Sequence, residues 1–327
     1  MASLPRAAQN PPHRNGTPGP AVISAESKAK LYVSCAGLLW ASAGMIGAST
    51  DFSPLLLAEV RLGTAAVVLL ALLGPQRVGR VFAGLRGNLI LGAVAGMGLF
   101  QWSFFLAVAH AGASFATWAS VATSPLWAAV LSAPGTRRRT TVTGILACVA
   151  VGSGLALLAI GGGISLTGFI VCMPVGLAYA LYAVSATRAA RDAAVSTGAD
   201  ASLTITAIAL AGGALVLLPL AWHPLVAELG GHSWRSRDIV RLAFLGLGST
   251  ALAYLLFARG LHRLTAKSAL SLQWVQPVAT EIFSASAPGY ALAPIRIAGM
   301  ALLSITMLGG SLRPHPAPTI QTINERA

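Results

Sequence analysis

Ten apolar runs, each about as long as a bilayer's hydrocarbon core is thick, govern what this chain of 327 residues can fold into. They cover approximately Leu31–Ala48, Pro54–Leu73, Leu89–Ala109, Ala113–Ala133, Thr141–Ile160, Leu166–Ala186, Leu203–Trp222, Leu242–Leu261, Ser268–Ser286 and Ala293–Leu312. An α-helix rises 1.5 Å per residue, so about 20 apolar residues cross about 30 Å of hydrocarbon. In lipid every backbone N–H and C=O must be satisfied inside the segment or in a closed barrel, so runs of this length predict helices. Only 9% of the residues are charged and mean hydropathy is +0.73, against about 25% charged in soluble domains. That excludes a water-soluble globule and leaves an all-α, polytopic integral membrane protein.

The formal net charge of +13 would suit an anionic polymer, but the cations lie between apolar runs and form no basic stripe, so no nucleic-acid partner is expected. Lys and Arg instead alternate from one connection to the next. With a cytoplasmic N-terminus the inner set is Arg6, Arg14, Lys28, Lys30, Arg77, Arg80, Arg86, Arg137, Arg138, Arg139, Arg188, Arg191, Arg259, Arg263, Lys267, Arg313 and Arg326. The outer set is Arg235, Arg237, Arg241 and Arg296, and Arg61 lies within the second span. This bias predicts both termini inside. The one long outer connection, His223 to Arg241, is expected to hold a short surface helix around Pro224–Leu229. Cys35, Cys148 and Cys172 fall in apolar stretches without C-x-x-C spacing, and no His or Glu pattern suits a metal, so no metal or cofactor is expected.

The halves of the chain resemble each other. A shift of 152 residues brings Trp102, Phe105, His110 and Pro125 onto Tyr254, Phe257, His262 and Pro277. A shift near 155 aligns Gly144 and Gly154 with Gly299 and Gly309, and one of 139 aligns Gly37 and Trp40 with Gly176 and Tyr179. Five helices per copy is an odd number, so the second copy enters the membrane from the opposite face: two inverted five-helix repeats, an architecture of secondary transporters. The expected organisation is a tail at 1–29, a first repeat at 30–161, a second at 162–312 and a tail at 313–327.

The ordered motifs resemble the EamA branch of the drug/metabolite transporter superfamily. They include Leu39-Trp40-Ala41-Ser42, Pro54 with Arg61 seven residues on, Gln101, Ala113-Ser114, Thr123-Ser124-Pro125-Leu126, Gly144 and Gly152. In the second copy they are the run Leu245 to Tyr254, Gln276-Pro277-Val278 and Gly299. Thr136 and Tyr290 stand where that family usually has a Glu. The resemblance implies a ten-helix inner-membrane carrier with both termini cytoplasmic, moving amino acids, other metabolites or drugs, often outward. A homodimer is compatible with it.

Ionisable groups at a helix centre cost roughly 2.5–3.5 kcal/mol on insertion scales, so each is a functional candidate. There are three: Glu59, Arg61 and Glu281. Glu59 and Arg61 point about 200° apart on one helix and cannot pair. Arg61 either neutralises a substrate carboxylate or anchors neighbouring helices. Glu281, four residues after Pro277, is either a proton-coupling carboxylate or an exposed acid near the outer end of its helix. Pro125 and Pro277 each remove a backbone donor in mid-span and are candidate hinges. Trp40, Gln101, Trp118, Thr123, Tyr179, Tyr254, Gln273 and Trp274 are candidates to line a cavity with Arg61, the alternative being core packing or lipid contact. Gly246-x-Gly248 lies in an apolar helix, and there is no Walker lysine, which argues against nucleotide binding. The expected function is secondary transport of a small organic molecule; a membrane-embedded lipid-modifying enzyme and a non-transporting scaffold are the alternatives.

Overall fold

The computed structural model describes residues 24–132, 142–197, 201–231, 233–261, 263–286 and 292–312. Residues 1–23 and 313–327 of the tails, Arg137 to Arg139, Thr136, Tyr290 and His262 lie outside the described residues. Among the described residues all regular structure is helical. The elements are α1 (Ala25–Ala48), α2 (Pro54–Leu73), α3 (Pro75–Ala83), α4 (Gly87–Leu131), α5 (Val142–Gly161), α6 (Leu166–Thr197), α7 (Ala201–Gly231) and α8 (Ser236–Ala243). A π-helix (Phe244–Leu252) leads into α9 (Ala253–Leu261), and α10 (Ala266–Ser271), a 3-10 turn (Leu272–Trp274) and α11 (Val275–Ala285) precede α12 (Pro294–Leu312). Seven of the described helical stretches are long and apolar enough to cross a membrane, and Pro294–Gly309 is a shorter apolar helix.

Boundaries follow local chemistry. Ser24 caps α1, its hydroxyl accepting from the Ser27 N–H at 3.1 Å, and Ser53 caps α2 one residue before Pro54 at the first helical position, where a missing N–H costs nothing. The third and fourth apolar runs form one 45-residue element, α4, interrupted at Gly112 with φ 77° and ψ 160°. A side chain disfavours that backbone, so glycine marks the break. The short surface helix expected near Pro224–Leu229 is not a separate element. Instead α7 continues through Pro219 and Pro224 to Gly231, and Glu228 near its end accepts from the Ser53 N–H at 2.8 Å. Likewise α6 continues 11 residues beyond its expected end at Ala186, because hydropathy measures the membrane and helicity does not stop at its edge.

Small residues let the helices approach, as is usual where hydrophobicity cannot distinguish neighbour from lipid. Here α6 packs along α4, α7 along α2, α9 and α11 on α1, and α12 on α5. In the last pair a Cβ on Gly299 would stand 2.8 Å from the Gly154 carbonyl, so a side chain at position 299 would push the two helices apart. Exposed Val142, Ile145, Leu146 and Val149 on α5, and Leu215, Val216 and Leu220 on α7, form apolar outer faces suited to acyl chains.

Candidate functional site

The inner faces of α1, α4, α6, α9 and the 3-10 turn meet in a buried cluster of aromatic and amide side chains. Trp40 of α1 makes edge contacts with Tyr254 at 4.8 Å, Phe257 at 5.2 Å and Tyr179 at 6.1 Å between ring centroids. Tyr179 stacks on Phe100 at 4.6 Å and on Tyr182 at 6.2 Å. One amide ties opposite halves of the sequence together, Gln101 Nε2 donating to the Tyr254 hydroxyl at 3.2 Å, and a second links two helices of the later half, Gln273 Nε2 donating to the Tyr179 hydroxyl at 2.6 Å. The other end of each amide, Gln101 Oε1 and Gln273 Oε1, and the Trp40 indole N–H are buried without a hydrogen-bond partner. Unsatisfied buried groups of this kind cost about 1–3 kcal/mol each. Trp40, Arg61, Phe100, Phe104, Ser120, Tyr179 and Gln276 border a narrow gap of about 10 Å³, room for about one water.

Arg61 enters this cluster from α2, only 2% exposed. Its Nε donates to Thr250 Oγ1 at 2.8 Å and its Nη2 to the Ser249 carbonyl at 3.3 Å. Its guanidinium carbon lies 5.4 Å from the centre of the Phe105 ring, within cation–π range. Glu59, on the same helix, is buried with Oε2 unpartnered.

A second polar group joins α4, α11 and α12. Glu281 is 5% exposed, so the exposed-acid alternative is corrected. Its Oε1 pairs with Arg296 Nε at 3.1 Å. The Ser114 hydroxyl donates to Glu281 Oε2 while accepting from Arg296 Nη2 at 3.0 Å. Arg296 had been assigned to an outer connection, and by sequence it still follows one. The helix begins at Pro294, however, and the long side chain turns inward to the carboxylate. Glu281 sits five residues beyond cavity-lining Gln276, about 7.5 Å along α11.

The remaining candidates lie apart from the ring cluster. Trp118 is fully buried on α4 with its indole N–H unpartnered, Trp274 is half-buried, and neither has a ring contact with the cluster among the described residues. Thr123 gives its hydroxyl to the Ala119 carbonyl at 2.7 Å and packs against Gly176. The prolines differ. At Pro125 the helix continues, and the Val121 carbonyl, which lost its N–H donor four residues on, accepts from the Ser124 hydroxyl at 3.2 Å. At Pro277 the chain passes through the 3-10 turn before α11, consistent with the ring's clash against the carbonyl four residues back. Sequence reasoning missed the partners: Thr250, Arg296 and the bridging role of Ser114. A cation within three residues of a span's start was the available signal for Arg296.

An all-helical fold of long apolar helices around a buried polar and aromatic centre defines a multi-pass membrane protein. Residues 166–309 match the model of the EamA-like transporter family. A relative from Bacillus subtilis (strain 168), named an uncharacterized transporter, YwfM, is 24% identical over 300 residues, covering 89% of this chain and 96% of that protein. A solved crystal structure superposes with a TM-score of 0.60 at 19% identity, covering 86% of this chain and 95% of that one, a likeness of fold. Over residues 166–309, therefore, the chain is similar to EamA-like transporters.

Proposed function

We propose that the protein is a secondary carrier of small organic metabolites, exporting or exchanging them by alternating access across the cell's inner (plasma) membrane. The observation that carries this reading is the closed chamber at Trp40, Tyr179 and Tyr254, to which both halves of the sequence contribute and in which several polar atoms lack protein partners. Buried polar atoms left unsatisfied by the protein suit a ligand that satisfies them. In this reading Trp40, Gln101, Tyr179, Tyr254 and Gln273 contact substrate, Arg61 borders it, and Trp118, Thr123 and Trp274 support the wall.

The ten-helix, inverted-repeat organisation belongs to the same proposal. It is supported by the break at Gly112, which divides α4 at the expected connection, and by α8 to α9 and α10 to α11 each following a single apolar run. Both termini are then cytoplasmic, and Pro125 and Pro277 occupy matching spans as hinge points. Glu281 is the proton-coupling residue. Its counter-charge comes from a different helix, so opening between α11 and α12 leaves a buried carboxylate that protonation neutralises.

Uptake and efflux of a labelled metabolite panel in proteoliposomes tests the carrier reading. Movement of chemically unchanged solute is expected; a modified product, or no movement of any solute, overturns it. With a substrate in hand, Glu281→Gln is expected to abolish substrate-driven pH change while exchange of labelled for unlabelled substrate persists. Unchanged proton movement removes Glu281 from the mechanism.

A further inference from the structure

The stretch Phe244–Leu252 is a π-helix, whose backbone bonds run five residues back and which therefore holds more residues per turn than an α-helix. Such turns are costly and rarely longer than one, so an external contact is needed to keep one. Two hydroxyls converge on a single carbonyl inside it: Ser249 Oγ donates to Leu245 O at 3.0 Å and Thr250 Oγ1 donates to the same oxygen at 2.5 Å. The second bond spans five residues, the π spacing. Thr250 Oγ1 also accepts from Arg61 Nε, and the Ser249 carbonyl accepts from Arg61 Nη2. The guanidinium fork thus grips consecutive residues of the wide turn from the neighbouring helix. The approach is close because Gly246 has no side chain; a Cβ there would stand 2.6 Å from Thr64 on α2.

Four residues after Thr250 comes Tyr254, which contacts Trp40 and Gln101. One residue more or fewer in a helix rotates everything beyond it by about 100°. The helix type at 244–252 therefore determines whether Tyr254 faces Trp40 or turns away. We propose that Arg61 is a positioning residue: by holding residues 244–252 in the π form it sets the rotation of α9 and so presents Tyr254 to the central chamber. The role of Tyr254 in the chamber rests on the proposed function, but the rotation of α9 can be read without any substrate, so the two fail separately.

Disulfide trapping reads that rotation. A Cβ on Gly260 of α9 would lie 2.5 Å from Val33 Cγ2 on α1, which places the two Cβ atoms roughly 4 Å apart or less, within disulfide reach. On α5 and α12, beyond the influence of the π turn, a Cβ on Gly154 would lie 2.6 Å from Leu303 Cγ. In a full-length background with Cys35, Cys148 and Cys172 replaced by Ala, the pairs Val33→Cys/Gly260→Cys and Gly154→Cys/Leu303→Cys are both expected to form. Arg61→Gln is expected to lower the yield of the first pair by about five-fold or more and leave the second unchanged. Deleting Leu247, a lipid-facing residue of the π turn, removes the extra residue and is expected to restore the first pair in the Arg61→Gln protein. Retention of the first pair in Arg61→Gln, loss of both pairs together, or no recovery on deletion each overturns the proposal. A simple packing role for Arg61 predicts no rescue by shortening a different helix.

Discussion

Two buried arginines, Arg61 and Arg296, solve the same problem differently. Arg61 is bound by neutral oxygens, the Thr250 hydroxyl and the Ser249 carbonyl, whereas Arg296 is bound by the Glu281 carboxylate and the Ser114 hydroxyl. A guanidinium held by neutral groups keeps its contacts through any change of protonation. One held by a carboxylate has a bond that a single proton weakens. The first arrangement suits a fixed element of the frame and the second a contact that opens and closes. In a medium where every charge is expensive, the choice of partner separates the two kinds of cation more clearly than depth does.

Substitutions that break one site and spare the other sharpen this contrast. The largest effect is expected from Glu281→Gln, which leaves Arg296 without its counter-charge: a loss of about 3 kcal/mol, followed by thermal unfolding in detergent. Most of that loss is expected to return in the double variant Glu281→Gln/Arg296→Gln; a double variant as unstable as the single one would show that the pair is not the stabilising unit. Arg61→Lys keeps the charge but loses the planar fork, and is expected to cost about 2 kcal/mol. The same change at Arg296, where a carboxylate attracts any cation, is expected to cost less than half as much. Thr250→Val removes the acceptor for Arg61 Nε at nearly constant volume and is expected to cost about 1.5 kcal/mol, with no effect beyond that in an Arg61→Gln background. The smallest effect, about 1 kcal/mol, is expected for Tyr254→Phe, which removes the partner of Gln101 Nε2. Equal losses for Arg61→Lys and Arg296→Lys would erase the distinction between the two arginines.

Much of the frame was legible in the residues. Hydropathy marked long apolar helices, seven of which among the described residues can span a membrane, Gly112 lay in the connection expected between the third and fourth runs, and Trp40, Gln101, Tyr179, Tyr254 and Gln273, singled out by residue type and repeat position, do meet in one cluster. Arg61 was recognisable as a buried cation in need of a partner, but the partner was not. Ser249 and Thr250 sit in a run of small residues whose composition fits an α-helix and a π-helix equally well, and only contact with α2 decides between them. Arg296 was misread for a different reason. Counting charges assigns a residue by where its backbone lies, while a long side chain near a helix start reaches about a turn further inward. The extension of α6 past Ala186 was invisible to hydropathy because its polar residues continue a helix already nucleated, and at Pro224–Leu229 helix was expected but not its continuity with α7.

The two prolines carry a mechanical consequence. Ser124 re-satisfies the carbonyl orphaned by Pro125, and the helix passes that point without changing its type. Before Pro277 the chain tightens into the 3-10 turn Leu272–Trp274, a form with poorer bond geometry than the α-helix on either side. Matching sequence positions in the two halves thus have unequal bending stiffness. A load applied across the bundle would strain α10 and α11 first, at the turn that carries Gln273, before α4 yields at Pro125.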